Sequence, residues 1–256
     1  MSNSSRSRGW IVLQAFAAFV LFQQDPRHIV EEAQRRATSD SQQYEGNLQV
    51  IDSQGKISTK RWQYERIGSH GSSKSVLRFT TPAEVKGVAL LVINHPDRSS
   101  DQWMWTPAIN RERRIALQDR STRFFGTDFS FEDLEERDTN QHDYKLLGEE
   151  PIDGATCWKL QSTPRKSKVS QYSHSHVWIR RDNYALAQID NYSQGQLLRR
   201  ARYSDIRNDQ GIWTAHHIDM HDLKRNSHTV LTIEKLRYNL PLQDGAFTLQ
   251  ALRRER

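Results

Sequence analysis

The chain has one cysteine, Cys157, among 256 residues. No intramolecular disulfide can form, and with no cysteine near the N-terminus, lipid attachment there is excluded. Apolar residues are also scarce, at 36%, and the mean hydropathy is −0.83. A chain this long can bury a sizeable core, so such a balance implies a thin or partly hollow one under a polar exterior. Several enzyme signatures are missing: no phosphate-binding loop, dinucleotide-binding glycine pattern, nucleophile elbow or zinc-protease helix occurs. No linker, low-complexity tract or internal repeat divides the sequence. The one long apolar run, Ile11–Phe22, is 12 residues, too short to span a bilayer as a helix.

That run follows Arg6 and Arg8, the layout of a secretory signal peptide. Phe22-Gln23-Gln24 lacks the small residues of a cleavage site, so residues 1–24 read as a signal peptide or an uncleaved anchor. Residues 25–256 read as a single domain. The formal charge of +6 comes from 37 basic against 31 acidic residues. This mixed surface is compatible with nucleic acid, anionic lipid or an acidic partner and alone selects none of them, but the leader argues against nucleic acid, which an exported protein rarely meets.

Arg27–Thr38 reads as a helix, with Pro26 at its start, Ile29, Val30, Ala33 and Ala37 on one stripe, and Glu31/Arg35 and Glu32/Arg36 at i,i+4. From Tyr44 the apolar period changes to 2. Strands are expected at Tyr44–Asp52, Ile57–Ile67, Lys74–Thr80, Gly87–Asn94 and around Trp103, with one helical turn at Thr81–Lys86. Further strands are expected at Tyr144–Glu150, Ala155–Thr163, His174–Arg181, Ala185–Tyr192, Leu197–Ile206, Trp213–Leu223 and His228–Tyr238. About a dozen strands in hairpin rhythm, with few helices, point to a strongly curved antiparallel sheet or barrel.

Asp101–Leu134 holds two of the seven Trp and four of the nine Phe, mixed with charges. Trp103 and Trp105 fall on one face of a strand, and Val88, Leu90 and Val92 alternate on the preceding one. With Trp62 they form an expected aromatic and aliphatic concave wall, closed at one end by Phe124, Phe125 and Phe129. Among the acids, Ser130-x-x-Asp133 resembles a variant capping box opening a helix at Phe131–Arg137, which turns Asp128, Glu132 and Asp133 from catalysis to structure. Arg111, Arg113, Arg114, Arg120 and Arg123 are placed on a rim or outer face. Cys157 is a small core residue. His174 with His176, and His217, Asp219 and His221, could build a zinc site only if their strands converge. No catalytic residue, metal or cofactor is assigned.

The stretch WMWTPAINRERRIALQDRSTRFFGTDFSFEDL resembles the aromatic strand, Pro turn, Arg-rich strand and Gly-x-Asp-Phe segment of the outer-membrane lipoprotein-sorting, LolA-like family. RFTTPAEVKGVALLVI and NLPLQDGAFTLQALRR resemble the family's earlier strand pair and its C-terminal close. The resemblance covers about Asp25 to Arg253. It implies an unclosed β-barrel with a few helices over the concave face, binding lipid or lipoprotein acyl chains in the periplasm; the chain is expected to be a monomer. It also implies a membrane partner of the resistance-nodulation-division transporter type, and a ligand-retaining arginine for which Arg61 and Arg66 are candidates. Two other classes stay open on the residues: an envelope adaptor that carries nothing, and a metal-dependent enzyme.

Overall fold

A computed structural model describes residues 25–96 and 98–254; the leader assigned to residues 1–24 lies outside them. The first element is α1 (Pro26–Arg36). The Asp25 carboxylate caps it, accepting from the Arg27 N–H at 2.9 Å, and Pro26 supplies the fixed φ of the first turn. Glu32 takes both Arg35 and Arg36 at 2.7 Å, while Glu31 pairs back to Arg27 instead of forward to Arg35. Ile29 is fully buried on the opposite stripe.

Thirteen strands follow. The first six are β1 (Ser41–Ile51), β2 (Ile57–Ile67), β3 (Lys74–Thr81), β4 (Ala89–Ile93), β5 (Asp101–Thr106) and β6 (Arg111–Arg114). The other seven are β7 (His142–Ile152), β8 (Ala155–Pro164), β9 (His174–Arg180), β10 (Leu186–Ser193), β11 (Gln196–Asp209), β12 (Ile212–Asp222) and β13 (Ser227–Tyr238). They make one antiparallel sheet in the order β6-β5-β4-β3-β2-β1-β13-β12-β11-β10-β9-β8-β7. Two meanders are therefore joined only where β1 meets β13, and β6 and β7 remain as free edges. The expected unclosed antiparallel barrel is the architecture found.

Local expectations differ in places. The Phe131–Arg137 helix is only a 3-10 turn, Glu132–Leu134, because Glu135 leaves it in extended conformation. In the expected helical turn Thr81–Lys86, Thr81 ends β3 and residues 82–87 form a bend and turn, not a helix. Within the apolar Gly87–Asn94 run the strand itself is Ala89–Ile93. A short α2 (Leu249–Leu252) was not expected; its Thr248 cap accepts from the Ala251 N–H at 3.2 Å. No described helix is long and apolar enough to cross a membrane.

The curvature is read from which residues meet. One apolar cluster gathers Leu48, Trp62, Leu77, Leu160, Ile179, Ala201 and Leu231, drawn from both meanders, together with Ile29 of α1. Only the concave side brings such distant strands together. A second cluster, on the outer face of β4 and β5, holds Ala89, Leu91 and Trp105 under Phe247 and Leu252 of the C-terminal segment.

Candidate functional site

The edges β6 and β7 are connected by residues 115–141, a strap that crosses the concave face. Its aromatic loop folds on itself: the Phe124 N–H donates to Phe129 O at 2.8 Å and the Thr127 N–H to Phe124 O at 3.0 Å. The turn requires left-handed backbone at Phe125 (φ 45°) and Gly126 (φ 75°). Glycine adopts this freely; a bulky aromatic does not, so Phe125 is held there by its surroundings.

Those surroundings are rings. Phe124 stacks on Phe79 at 5.3 Å and meets Phe125 and Phe131 edge-on at 5.3 and 5.5 Å. Trp62 lies 5.8 Å from Phe79 and 6.4 Å from Phe129. The Trp62 indole fits because residue 46 on β1 is glycine; a Cβ there would run into the ring and stand 2.9 Å from Leu231 Cδ1. Val88, Leu90 and Val92 belong to the same cluster. Seven of the nine wall residues expected from sequence (Trp62, Val88, Leu90, Val92, Phe124, Phe125 and Phe129) thus come together.

Trp103 and Trp105 do not, and their placement is corrected. The ladder sets Leu91 opposite Trp103 and Ala89 opposite Trp105, and residues paired across a ladder share a face. Both Trp therefore look outward, under the C-terminal segment, and Met104 looks inward. The strand β4 is apolar on both faces, so its sequence left the facing of its neighbour open. The signal that could have decided it is the apolar set Phe247, Leu249 and Leu252, which needs an outer patch to cover.

The rest of the strap is held by buried polar bonds spread across the sheet. Asp128, with no exposed surface, accepts from Arg123 (2.9 Å), Ser227 (2.6 Å) and Thr229 (2.7 Å), which ties the loop to β13. Asp133 accepts from Tyr172 at 2.7 Å and pairs with Arg199 of β11 at 3.3 Å. It also exchanges bonds with Ser130, so the capping box exists although its helix does not. Glu135 pairs with Arg120 at 2.6 Å and Lys168 at 3.5 Å. Burial pushes its carboxyl up, against the pull of Lys168 and Arg120. Glu136 reaches Arg66 at 3.4 Å, and Arg137 donates to Asn191 of β10 at 2.9 Å. Arg120 and Arg123 are thus strap anchors instead of rim cations. Of the two candidates for a retaining arginine, Arg66 is buried on the concave side and Arg61 pairs outside with Glu45 and Glu234. Single-residue spacing gave no hint of Tyr172, Arg199 and Lys168, which reach the strap only through the curvature.

The concave face is therefore filled on one side by the aromatic loop. Beside the strap a cavity of about 60 Å³ remains, lined by Tyr203, Met220, Ala201 and Ile189 with Arg137, His142 and Asn191. This is below the roughly 300 Å³ at which ligand pockets begin. Burial holds the His142 imidazole down at about 4, although its Nδ1 lies 3.1 Å from Asp138 O.

The other candidates stay apart. His174 and His176 lie on β9, and His217 and His221 on β12, with β10 and β11 between them. No metal-binding cluster occurs among the described residues. His174 stacks on Tyr192 at 4.6 Å and His221 on His228 at 4.7 Å. Cys157 is fully buried and burial pushes its thiol up, the opposite of a nucleophile.

A family model described as "-like: Uncharacterized protein" matches residues 71–254. The chain belongs to that family. Curated proteins include no match. Among solved structures, a DUF1329 family protein from Desulfovibrio piger is 29% identical, with a TM-score of 0.85 over 89% of this chain and 99% of that one. A putative outer membrane lipoprotein-sorting protein domain from Vibrio parahaemolyticus is 24% identical, with a TM-score of 0.85 over 90% and 98%. A LolA superfamily protein from Nitrosomonas europaea is 24% identical, with a TM-score of 0.70 over 88% and 98%. The chain therefore has the LolA-like fold, as the resemblance of the aromatic and Gly-x-Asp-Phe motif implied.

Proposed function

We propose that the protein is a non-enzymatic periplasmic carrier that takes lipid or lipoprotein acyl chains onto its concave face, in exchange for the aromatic loop of the strap. One observation carries this. The apolar wall is covered not by a paired strand but by a loop whose rings do what an acyl chain would do, held by side-chain bonds that can be broken and remade.

The magnitudes allow the exchange. Burying three phenylalanines fully is worth roughly 5–9 kcal/mol, and their ring pairs add about 0.5–1.5 kcal/mol each. An acyl chain gains about 0.8 kcal/mol per methylene, so about fifteen methylenes gain roughly 12 kcal/mol. The two are of one size, which is what uptake and release both require. Delivery from or to a transporter of the resistance-nodulation-division type follows from the same reading.

Titration with a fluorescent fatty acid tests it. Saturable binding is expected, stronger in Asp128→Ala, whose loop loses its hold on β13. The filled concavity favours a second reading, an envelope adaptor that carries nothing; absence of binding by both the native chain and Asp128→Ala decides for it.

A further inference from the structure

The register gathers four turns at one end of the barrel. Ile51 pairs with both Ile57 and His228, which sets turn 52–56 beside turn 223–226. Arg61 pairs with Thr81, and Thr106 with Arg111, which brings turns 82–87 and 107–110 to the same end. Three of the large exposed apolar side chains project there: Ile57, Ile109 and Leu223, at 60%, 66% and 45% exposure.

The charges around them are mostly positive. Lys56, Lys86, Arg111, Lys224 and Arg225 face two acids, Asp52 and Glu84, and all five cations are exposed. None of the five forms an ion pair among the described residues, whereas several cations at the far end do. There Arg180 pairs with Asp182, Arg181 with Glu149 and Arg207 with Asp205, at 2.7, 2.9 and 2.5 Å. The turns at that far end also carry Asp153 and Asp209, around an exposed Trp213.

Unpaired cations interleaved with aliphatic tips fit a surface that is anionic at the headgroup and apolar just beneath it. We propose that this rim docks the protein on an anionic lipid bilayer. The aromatic loop opens toward the same end, since Asp128 is bound to Ser227 and Thr229 at the start of β13. Burial, and then the charge of Arg123 in the strap, push the Lys60 amine down from its ordinary range. The docking does not rest on what the concave face carries.

The test uses the full chain with an environment-sensitive dye on Ile109→Cys or, at the far end, Asp153→Cys; Cys157 is fully buried and leaves the label selective. Vesicles are an equimolar mixture of phosphatidylglycerol and phosphatidylcholine, or phosphatidylcholine alone. Because residues 11–22 are apolar and could hold the chain to any bilayer, the readout is orientation and lipid charge. A blue shift is expected at residue 109 and not 153, with anionic vesicles only, fading as salt rises. Each of Lys56→Glu, Lys86→Glu, Arg111→Glu and Lys224→Glu should lower anionic partitioning about fivefold or more. Equal shifts at both labels, equal response to neutral vesicles, or no shift at low salt overturns the proposal and leaves a protein partner as the occupant. Should the reversals unfold, the salt dependence at residue 109 decides.

Discussion

Phe124 has no exposed surface and touches three other rings, so truncating it opens a cavity in packed material. Phe124→Ala is expected to cost about 3–5 kcal/mol in chemical denaturation. Gly46→Ala works from the other side by driving a Cβ into the Trp62 indole and against Leu231; overpacking of this kind costs about 1–3 kcal/mol. Arg199 is a different case, because it sits buried between Asp133 and Asp222. Arg199→Met leaves both carboxylates without their cation, with an expected loss of about 3–5 kcal/mol.

His142 gives the chain a pH limb. Its folded imidazole is held at about 4 against an ordinary 6.5, so the fold prefers it neutral. That contribution is complete above about 6.5 and is lost as pH falls toward 4, by up to about 3 kcal/mol. Arg137, Lys168 and Arg165 face the ring and add to the cost of protonation. Melting temperature measured against pH should fall over this range, and fall less in His142→Asn.

At the scale of elements, the strap and the C-terminal segment are two covers, one for each face. Phe247→Ser is expected to expose Trp103 and Trp105 and to red-shift tryptophan emission, since both lie under that segment. Hydrogen exchange should find the strap less protected than the ladders of β1 and β13. Its backbone bonds are mostly within the strap, leaving it only at its ends, Ile115 to Gln102 and Arg165 to Gln141, while its middle is tied to the sheet and loops by the side chains of Asp128, Asp133 and Glu135.

The strands and their turns were legible from sequence because a period of 2 and the turn residues mark them independently of context. Facing was legible only where one side of a strand is polar. In β2, Trp62 alternates with polar neighbours and was placed correctly; in β4, with both sides apolar, the alternation says nothing, and Trp103 and Trp105 went to the wrong face. The acids of the strap read as a capped helix because their partners are remote in sequence: Tyr172 and Arg199 lie 39 and 66 residues from Asp133, and Lys168 meets Glu135 from another loop, all only through curvature.

For the whole molecule, the central claim is that the concave wall exchanges its aromatic loop for an acyl chain. Native mass spectrometry of the protein after gentle purification from envelope extracts tests this most directly. A population carrying one lipid-sized adduct, lost when Trp62 or Leu90 is replaced by a charged residue that keeps the fold, is the expected result. A protein that emerges free of lipid, and that stays free after incubation with an envelope lipid extract, contradicts it.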